Sequence, residues 1–278
     1  MRKSATIVLL LFIPVLAAAV HISANLKTDR HDLIIKVVDP KVPPIELSVA
    51  VVGDIHLPVG SSSINGFHDL LLEVKSSKPD LVAFVGDYTR NLGGEKFDSH
   101  RRNIVMAMKA VDPIPRVVVF GNYETWSGLD AWRGAFAGLN VQVMENEVAL
   151  IQTPKGPICV RGLGDSFSGR FSYVDYQSEC QSLPKVTITH DPAGAFDFRV
   201  KGLVIAGHTH CGQVDLPLIG PLWVPTDAPG AAHCGLYRDP FRTVFVTSGV
   251  GTAILPLRIG TKSNWDFLTI QIVGEQQT

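Results

Sequence analysis

Ser48-Val49-Ala50-Val51-Val52-Gly53-Asp54-Ile55-His56 decides the reading of the fold: an apolar, β-branched run ends on a glycine and then presents a carboxylate and an imidazole. Such a run is a buried strand, and strands of an open α/β sheet carry their ligand-binding residues just past their carboxyl ends. The construction recurs in a fixed order. LVAFVG (81–86) leads into Asp87, RVVVFG (116–121) into Asn122-Tyr123-Glu124, KVTIT (185–189) into His190-Asp191, and LVIAG (203–207) into His208-Thr209-His210. One Asp after a strand is an ordinary turn carboxylate, and one His is an ordinary buried polar residue. Five such ends in series point to a single crevice of metal-type ligands. Gly53, Gly86, Gly121 and Gly207 sit at the strand-to-loop corners, where unusual backbone angles or close approach are needed.

Around these ends, alternation and β-branched content predict further strands at 147–151, 157–161, 243–248 and 266–272, with an edge strand over Leu33–Val38. Helical periodicity falls at 66–76, 98–110 and 128–138, with a short stretch near 174–181. Strand–helix alternation in the first half argues for βαβ units and a partly parallel sheet. The strand-rich second half argues for another sheet stacked on the first. The organisation read from this is an N-terminal segment 1–24, a connector 25–45, and one α/β domain over 46–274.

Composition narrows the partners. The 278-residue chain is 46% hydrophobic with a formal net charge of -1, so it lacks the basic stripe that duplex nucleic acid requires. Arg2 and Lys3 precede an apolar run from Ala5 to Val20 that closes on Ala17-Ala18-Ala19. This reads either as a secretory signal peptide cleaved near Ala19 or as an uncleaved membrane anchor, since a span wants about 20 residues. Export or attachment to the cell membrane is expected. Lys27, Arg30 and Lys36, offset by Asp29 and Asp32, leave the side of the membrane open, cytoplasmic-face anchoring included.

The four cysteines (Cys159, Cys180, Cys211 and Cys234) form no CxxC pair; disulfides fit an exported domain, and Cys211, next to His210, is expected to be a small packed residue. His68, His100 and His233 have no motif context and are expected at the surface, with His233 able to approach the site from its loop. Two apolar loops border the crevice: Gln213–Pro229, with Leu216-Pro217-Leu218-Ile219-Gly220-Pro221-Leu222-Trp223, and Ala253-Ile254-Leu255-Pro256-Leu257. They read equally as a lipid-facing rim or as core.

The series D-x-H, G-D, G-N-x-[DE], H and G-H-T-H resembles the calcineurin-like metallophosphoesterase superfamily over roughly residues 46–272. Gly207-His208-Thr209-His210-Cys211-Gly212-Gln213, with Val250-Gly251-Thr252 and Leu255-Pro256-Leu257-Arg258, further resembles its membrane-associated bacterial branch, which includes phosphodiesterases and hydrolases of UDP-diacylglucosamine-like lipids. The resemblance implies a four-layer α/β/β/α sandwich of two mixed sheets holding two divalent metal ions. Asp54, His56 and His210 would bind the first; Asn122, His190 and His208 would bind the second; Asp87 would bridge both. Mixed His, Asp and Asn ligands suit Mn²⁺, Fe²⁺, Zn²⁺ or Co²⁺. The implied activity is hydrolysis of a phosphoester or pyrophosphate by a metal-activated hydroxide, with a phosphate-containing small molecule or lipid as substrate.

Asn122, Tyr123 and Glu124 are the implied catalytic residues, and here the sequence departs from the superfamily, which usually has His where Tyr123 stands. Three consequences compete. Tyr123 donates to the leaving oxygen; or the leaving group needs little protonation; or the chain is a catalytically weak metal-binding envelope protein. A lipid-linked nucleotide-sugar pyrophosphatase is the alternative enzyme. Arg90 reads either as a phosphate clamp or as a solvated surface residue.

Overall fold

Ile45–Val52 (β3) is buried along nearly its whole second half, on both faces, so layers must cover it above and below. The computed structural model describes Val20–His21 and residues 28–274; the rest of the N-terminal segment 1–24 lies outside the described residues. β3 lies inside a six-stranded sheet ordered β2 (Asp29–Val38), β16 (Asn264–Val273), β3, β4 (Leu81–Phe84), β5 (Arg116–Val118), β6 (Gln142–Val143). From β3 to β6 neighbours run parallel, while β16 is antiparallel to β3 and parallel to the edge strand β2.

Helices make the parallel crossovers: α1 (Ser61–Ser76), α2 (Phe97–Ala107), and the short α3 (Asn122–Trp126) with α4 (Leu129–Phe136). The period-2 alternation of the strands divides two cores. Ala50, Val52, Phe84 and Val118 pack under the helices with Phe67, Ile104 and Trp132. Val49, Val51, Ala83 and Val117 point the other way, onto Ile158, Val186, Ile205 and Phe245 of a second sheet.

That sheet is ordered β13 (Gly235–Arg238), β14 (Arg242–Val246), β10 (Gly202–Ala206), β9 (Lys185–Ile188), β8 (Gly156–Gly162), β7 (Glu147–Thr153), with β8, β9, β10 and β14 parallel. Both sheets are mixed, as expected. The fourth layer is thin. Val204, Ala206, Val244 and Val246 are covered by Phe171, Phe196 and neighbours carried on loops and short 3₁₀ turns, Ser178–Cys180 and Pro192–Phe196. The stretch near 174–181 is therefore no helix beyond its one 3₁₀ turn.

All four cysteines are paired, Cys159 with Cys180 and Cys211 with Cys234. The expectation that Cys211 is merely a packed residue is thus corrected: it ties the His208–His210 loop to the start of β13. Among the described residues no helix is long and apolar enough to cross a membrane.

Candidate metal centre

Because β3, β4 and β5 are parallel, as are β9 and β10, their carboxyl ends emerge together. Each strand ends two to four residues before its first ligand residue, so the backbone is free to turn. Asp54, His56, Asp87, His208 and His210 all adopt left-handed backbone angles, φ 45° to 71°. Non-glycine residues take that conformation at a cost of about 1–2 kcal/mol each, and such strain collects at functional sites. Backbone hydrogen bonds hold it: Asp54 N donates to Gly86 O at 3.0 Å, His56 N to Asp87 O at 3.0 Å, and Gly207 N to His190 O at 2.9 Å. Gly121 is required for space, since a Cβ there would collide with Asp87 Oδ1 and His190 Nε2.

Two groups of donors result. Ligand atoms of Asp54, His56 and His210 lie within 4.8 Å of one another, and so do those of Asp87, His190 and His208. Asp87 stands between the groups, with Oδ2 3.5 Å from His56 Nε2 and 3.3 Å from His190 Nε2. Asn122 Oδ1 is 3.2 Å from His190 Nε2. All seven residues are buried. The seven sites expected from the sequence thus converge on one place.

The donor set fits two cations. His56 Nε2 and His210 Nε2 face each other at 3.0 Å, and His208 Nδ1 and His190 Nε2 at 3.2 Å. Two acceptor lone pairs aimed at one point are repulsive unless a proton or a cation lies between them. The far nitrogens of two rings are already used: His190 Nδ1 donates to Val85 O at 2.7 Å, and His208 Nε2 to Pro225 O at 2.5 Å, which leaves the inward nitrogens as ligands.

Electrostatics agree. Burial pushes the Asp54 carboxyl up to about 7 and draws His56 down to about 4, so His56 is neutral and ready to ligate. Burial likewise holds His210 well below the usual imidazole range, helped by His56 and Arg258. Burial opposes ionisation of Asp87, but His190, His56 and His208 outweigh it and keep the carboxylate charged.

Glu124 has a different place from the expected catalytic one. Its carboxylate, fully buried, accepts from Asp87 N and Tyr88 N at 2.8 Å and from Gly121 N at 2.9 Å. It is a positioning residue that fixes two ligand corners from behind. Tyr123 is half-buried at the centre: its N–H donates to Asp87 Oδ1 at 3.0 Å, and its ring meets His56 edge-on at 4.6 Å between centroids. Burial and Asp87 raise its pKa, so the phenol is neutral.

Arg90 is not a free surface group; its guanidinium donates through Nη2 to Thr252 O at 2.8 Å and Thr252 Oγ1 at 2.7 Å. His100 is buried rather than at the surface, 3.0 Å from Leu57 O beneath the first motif. His68 is exposed, and His233 is half-buried beside the Cys211–Cys234 bridge, with its carbonyl accepting from Thr209 Oγ1 at 2.6 Å and its ring hydrogen-bonded to Gly230 O. Arg258, which closes the Leu255–Arg258 motif, has a role that its sequence context does not reveal. Wholly buried, it donates to Ser248 O at 2.7 Å and Gly251 O at 2.6 Å and abuts His210, clamping the turn whose Gly251 N reaches Asp54 O at 2.7 Å.

Above the ligands opens a groove of about 340 Å³. Tyr123, Trp126 and Phe167 form one wall, in ring contact with one another and with His208; Leu222, Trp223, Ile254 and Leu255 form the other. Among the described residues no Lys or Arg lines it.

The sequence model of the calcineurin-like phosphoesterase family matches residues 47–212. The metallophosphoesterase YkuE of Bacillus subtilis is 26% identical over 208 residues, covering 73% of this chain and 71% of its own length. The phosphodiesterase YaeI of Escherichia coli is 27% identical over 184 residues (63% and 64%). A transmembrane protein with metallophosphoesterase domain from Danio rerio is 26% identical over 258 residues (82% and 55%). Among solved structures, the purple acid phosphatase PPD1 from yellow lupin seeds aligns with a TM-score of 0.43 at 10% identity, over 84% of this chain and 55% of that one.

Proposed function

Since the chain belongs to the calcineurin-like phosphoesterase family and is accordingly a metal-dependent phosphoesterase, we propose that it cleaves a phosphodiester bearing an acidic leaving group and an apolar arm. The observation that carries this is Asp87 standing between two buried donor groups at the foot of an apolar groove. Asp54, His56 and His210 would hold one divalent ion and Asn122, His190 and His208 another, with Asp87 standing between the two sets. When bound, the ions supply Lewis acidity, lowering the pKa of water and neutralising charge on phosphoryl oxygens.

The chain's own residues do the rest. Asn122 turns its Oδ1 toward His190, which leaves its Nδ2 to donate to a phosphoryl oxygen. Asp87, fixed by Tyr123 N, keeps the two donor groups in register. The groove walls exclude water and take up the apolar arm of the ester. With no Lys or Arg among the described residues that line those walls, a second phosphate group finds no cationic side chain there, which favours a diester over a lipid-linked nucleotide-sugar pyrophosphate.

Tyr123 sets the leaving-group requirement. General-acid catalysis contributes about 10²–10⁴-fold when the acid's pKa lies near the working pH. A phenol raised above its ordinary value is a poor proton donor, so the leaving group must depart with little help. Rates on aryl and alkyl phosphodiesters of graded acidity, starting from bis(p-nitrophenyl) phosphate with Mn²⁺, test this. A steep dependence on leaving-group pKa is expected, and Tyr123→His flattens it by accelerating the poor leaving groups. A shallow dependence in the unaltered chain, with alkyl esters turned over well, contradicts the role given to Tyr123. Full metal content without turnover under any divalent ion would instead make the chain a metal-binding envelope protein.

A further inference from the structure

The apolar loops beside the groove do not fold back as core. Leu218 is fully exposed at 108%, Ile219 and Ile254 stand at 73%, and Trp223 at 60%. Leu218 tops a hairpin formed by Asp215–Leu216 (β11) and Gly220–Pro221 (β12), where its φ of 70° is one that favours glycine or asparagine. A leucine in that conformation, with none of the described residues packed over it, is unfavourable in water on both counts. Gln213 joins this hairpin to the second loop: its Nε2 donates to Leu255 O at 2.9 Å, its Oε1 accepts from Ala253 N at 2.9 Å, and its carbonyl accepts from Ile259 N at 3.0 Å. The two tips therefore make one face, and Leu222, Trp223 and Leu255 belong both to that face and to the groove above the metal ligands.

The two described residues of the N-terminal segment, Val20 and His21, lie at the same face. Val20–His21 (β1) pairs antiparallel with Arg258–Ile259 (β15), immediately after the exposed Ile254–Leu257 tip, and Ile259 is also bridged to Val214 at the base of the hairpin. Val20, the last residue of the apolar run that the sequence shows from Ala5, thus pairs with the domain next to its exposed apolar tips. Between Gln213 and Pro229 the only charged residues are Asp215 and Asp227, and Val250–Leu257 has none.

We propose that this face is a membrane-docking surface: the two loop tips insert into a lipid bilayer beside the N-terminal segment and open the groove onto phosphate-bearing headgroups. With no cation on the tips, docking is driven by burial of apolar side chains, so it requires neither anionic lipid nor low salt. The groove's use of headgroups rests on the hydrolase reading above; the docking does not.

The test uses the full chain in phosphatidylcholine vesicles with brominated acyl chains. Trp132 and Trp265 are buried in the core and out of reach of bromine. Tryptophan emission should be quenched equally at low and high salt, and Trp223→Phe should reduce that quenching by about twofold or more, as expected for an inserted side chain. A second variant, Leu218→Asp with Ile219→Asp, lies outside the groove. It should leave hydrolysis of soluble bis(p-nitrophenyl) phosphate unchanged and lower turnover of phosphatidyl-p-nitrophenol in vesicles by roughly tenfold. Absent quenching, or quenching unaltered by Trp223→Phe, overturns the proposal, and that includes a face covered by a second copy or another protein. Equal loss on both substrates also overturns it. Quenching without any turnover of the soluble diester supports docking while refuting the hydrolase reading.

Discussion

Asp87→Asn is expected to lower phosphodiesterase activity by on the order of 10²–10³-fold or more while leaving the protein folded. The carboxylate lies 3.5 Å from His56 and 3.3 Å from His190, so among the described residues it is the acidic group that both donor sets share. An amide of the same shape keeps an oxygen for Tyr123 N, which donates to Oδ1 at 3.0 Å, and so preserves the local packing. What it removes is negative charge between two cation sites. Bound metal should fall together with activity. Thermal unfolding in chelator should change little, because without cations the substitution also relieves a buried charge. Activity retained within a few-fold, measured on bis(p-nitrophenyl) phosphate at saturating Mn²⁺, would count against a bridging position.

Glu124→Ala is expected to act on stability first. Three buried backbone amides, those of Asp87, Tyr88 and Gly121, point at this carboxylate. Each unsatisfied buried donor costs about 1–3 kcal/mol, so the variant should lose roughly 3–5 kcal/mol once partial relaxation is allowed. For a domain of this size that is a fall in Tm of about 6–20 °C. Activity should fall with metal content, since the freed corners carry Asp87 and Asn122. A general acid would behave differently: a Glu124→Gln protein would keep its Tm and its metal and lose only turnover. Melting curves and metal content measured on the two variants separate these roles.

The difference between Glu124 and Asp87 illustrates what the sequence made legible. Asp54, Asp87, His190 and His208 follow glycine- or threonine-ended strands of high β-branched content, and parallel strands put their ends on one side by geometry alone. Their convergence could therefore be read from order and spacing. Glu124 sits two residues after Asn122, but α3 turns its side chain back onto the Asp87, Tyr88 and Gly121 amides, a direction set by a five-residue helix rather than by spacing. His100 is buried because Leu57 O happens to meet it across the packed first motif, a contact that no local pattern encodes.

Pairing of the cysteines was equally out of reach. Cys159–Cys180 and Cys211–Cys234 span 21 and 23 residues, and their partners meet only once the second sheet is formed. The strand over Gly235–Arg238 is half-exposed and lacks an apolar run, so periodicity does not mark it. α1 begins at Ser61, earlier than the 66–76 pattern, since its opening Ser61-Ser62-Ser63 turn carries no apolar stripe. For the Leu218 and Ile254 loops composition fits core and rim alike, and only exposure distinguishes them. Arg258 follows the same logic: its role depends on carbonyls of Ser248, Gly249 and Gly251 that only tertiary structure presents to it.

The central claim is that these scattered residues hold a pair of cations, and metal content measures it most directly. Full-length protein reconstituted with Mn²⁺ near neutral pH and desalted should carry two equivalents per chain by inductively coupled plasma mass spectrometry. His190→Ala should lose one equivalent, and Asp87→Asn should weaken both. A chain that retains no divalent metal, or that still holds two equivalents after Asp87 and His190 are both replaced, would contradict the account.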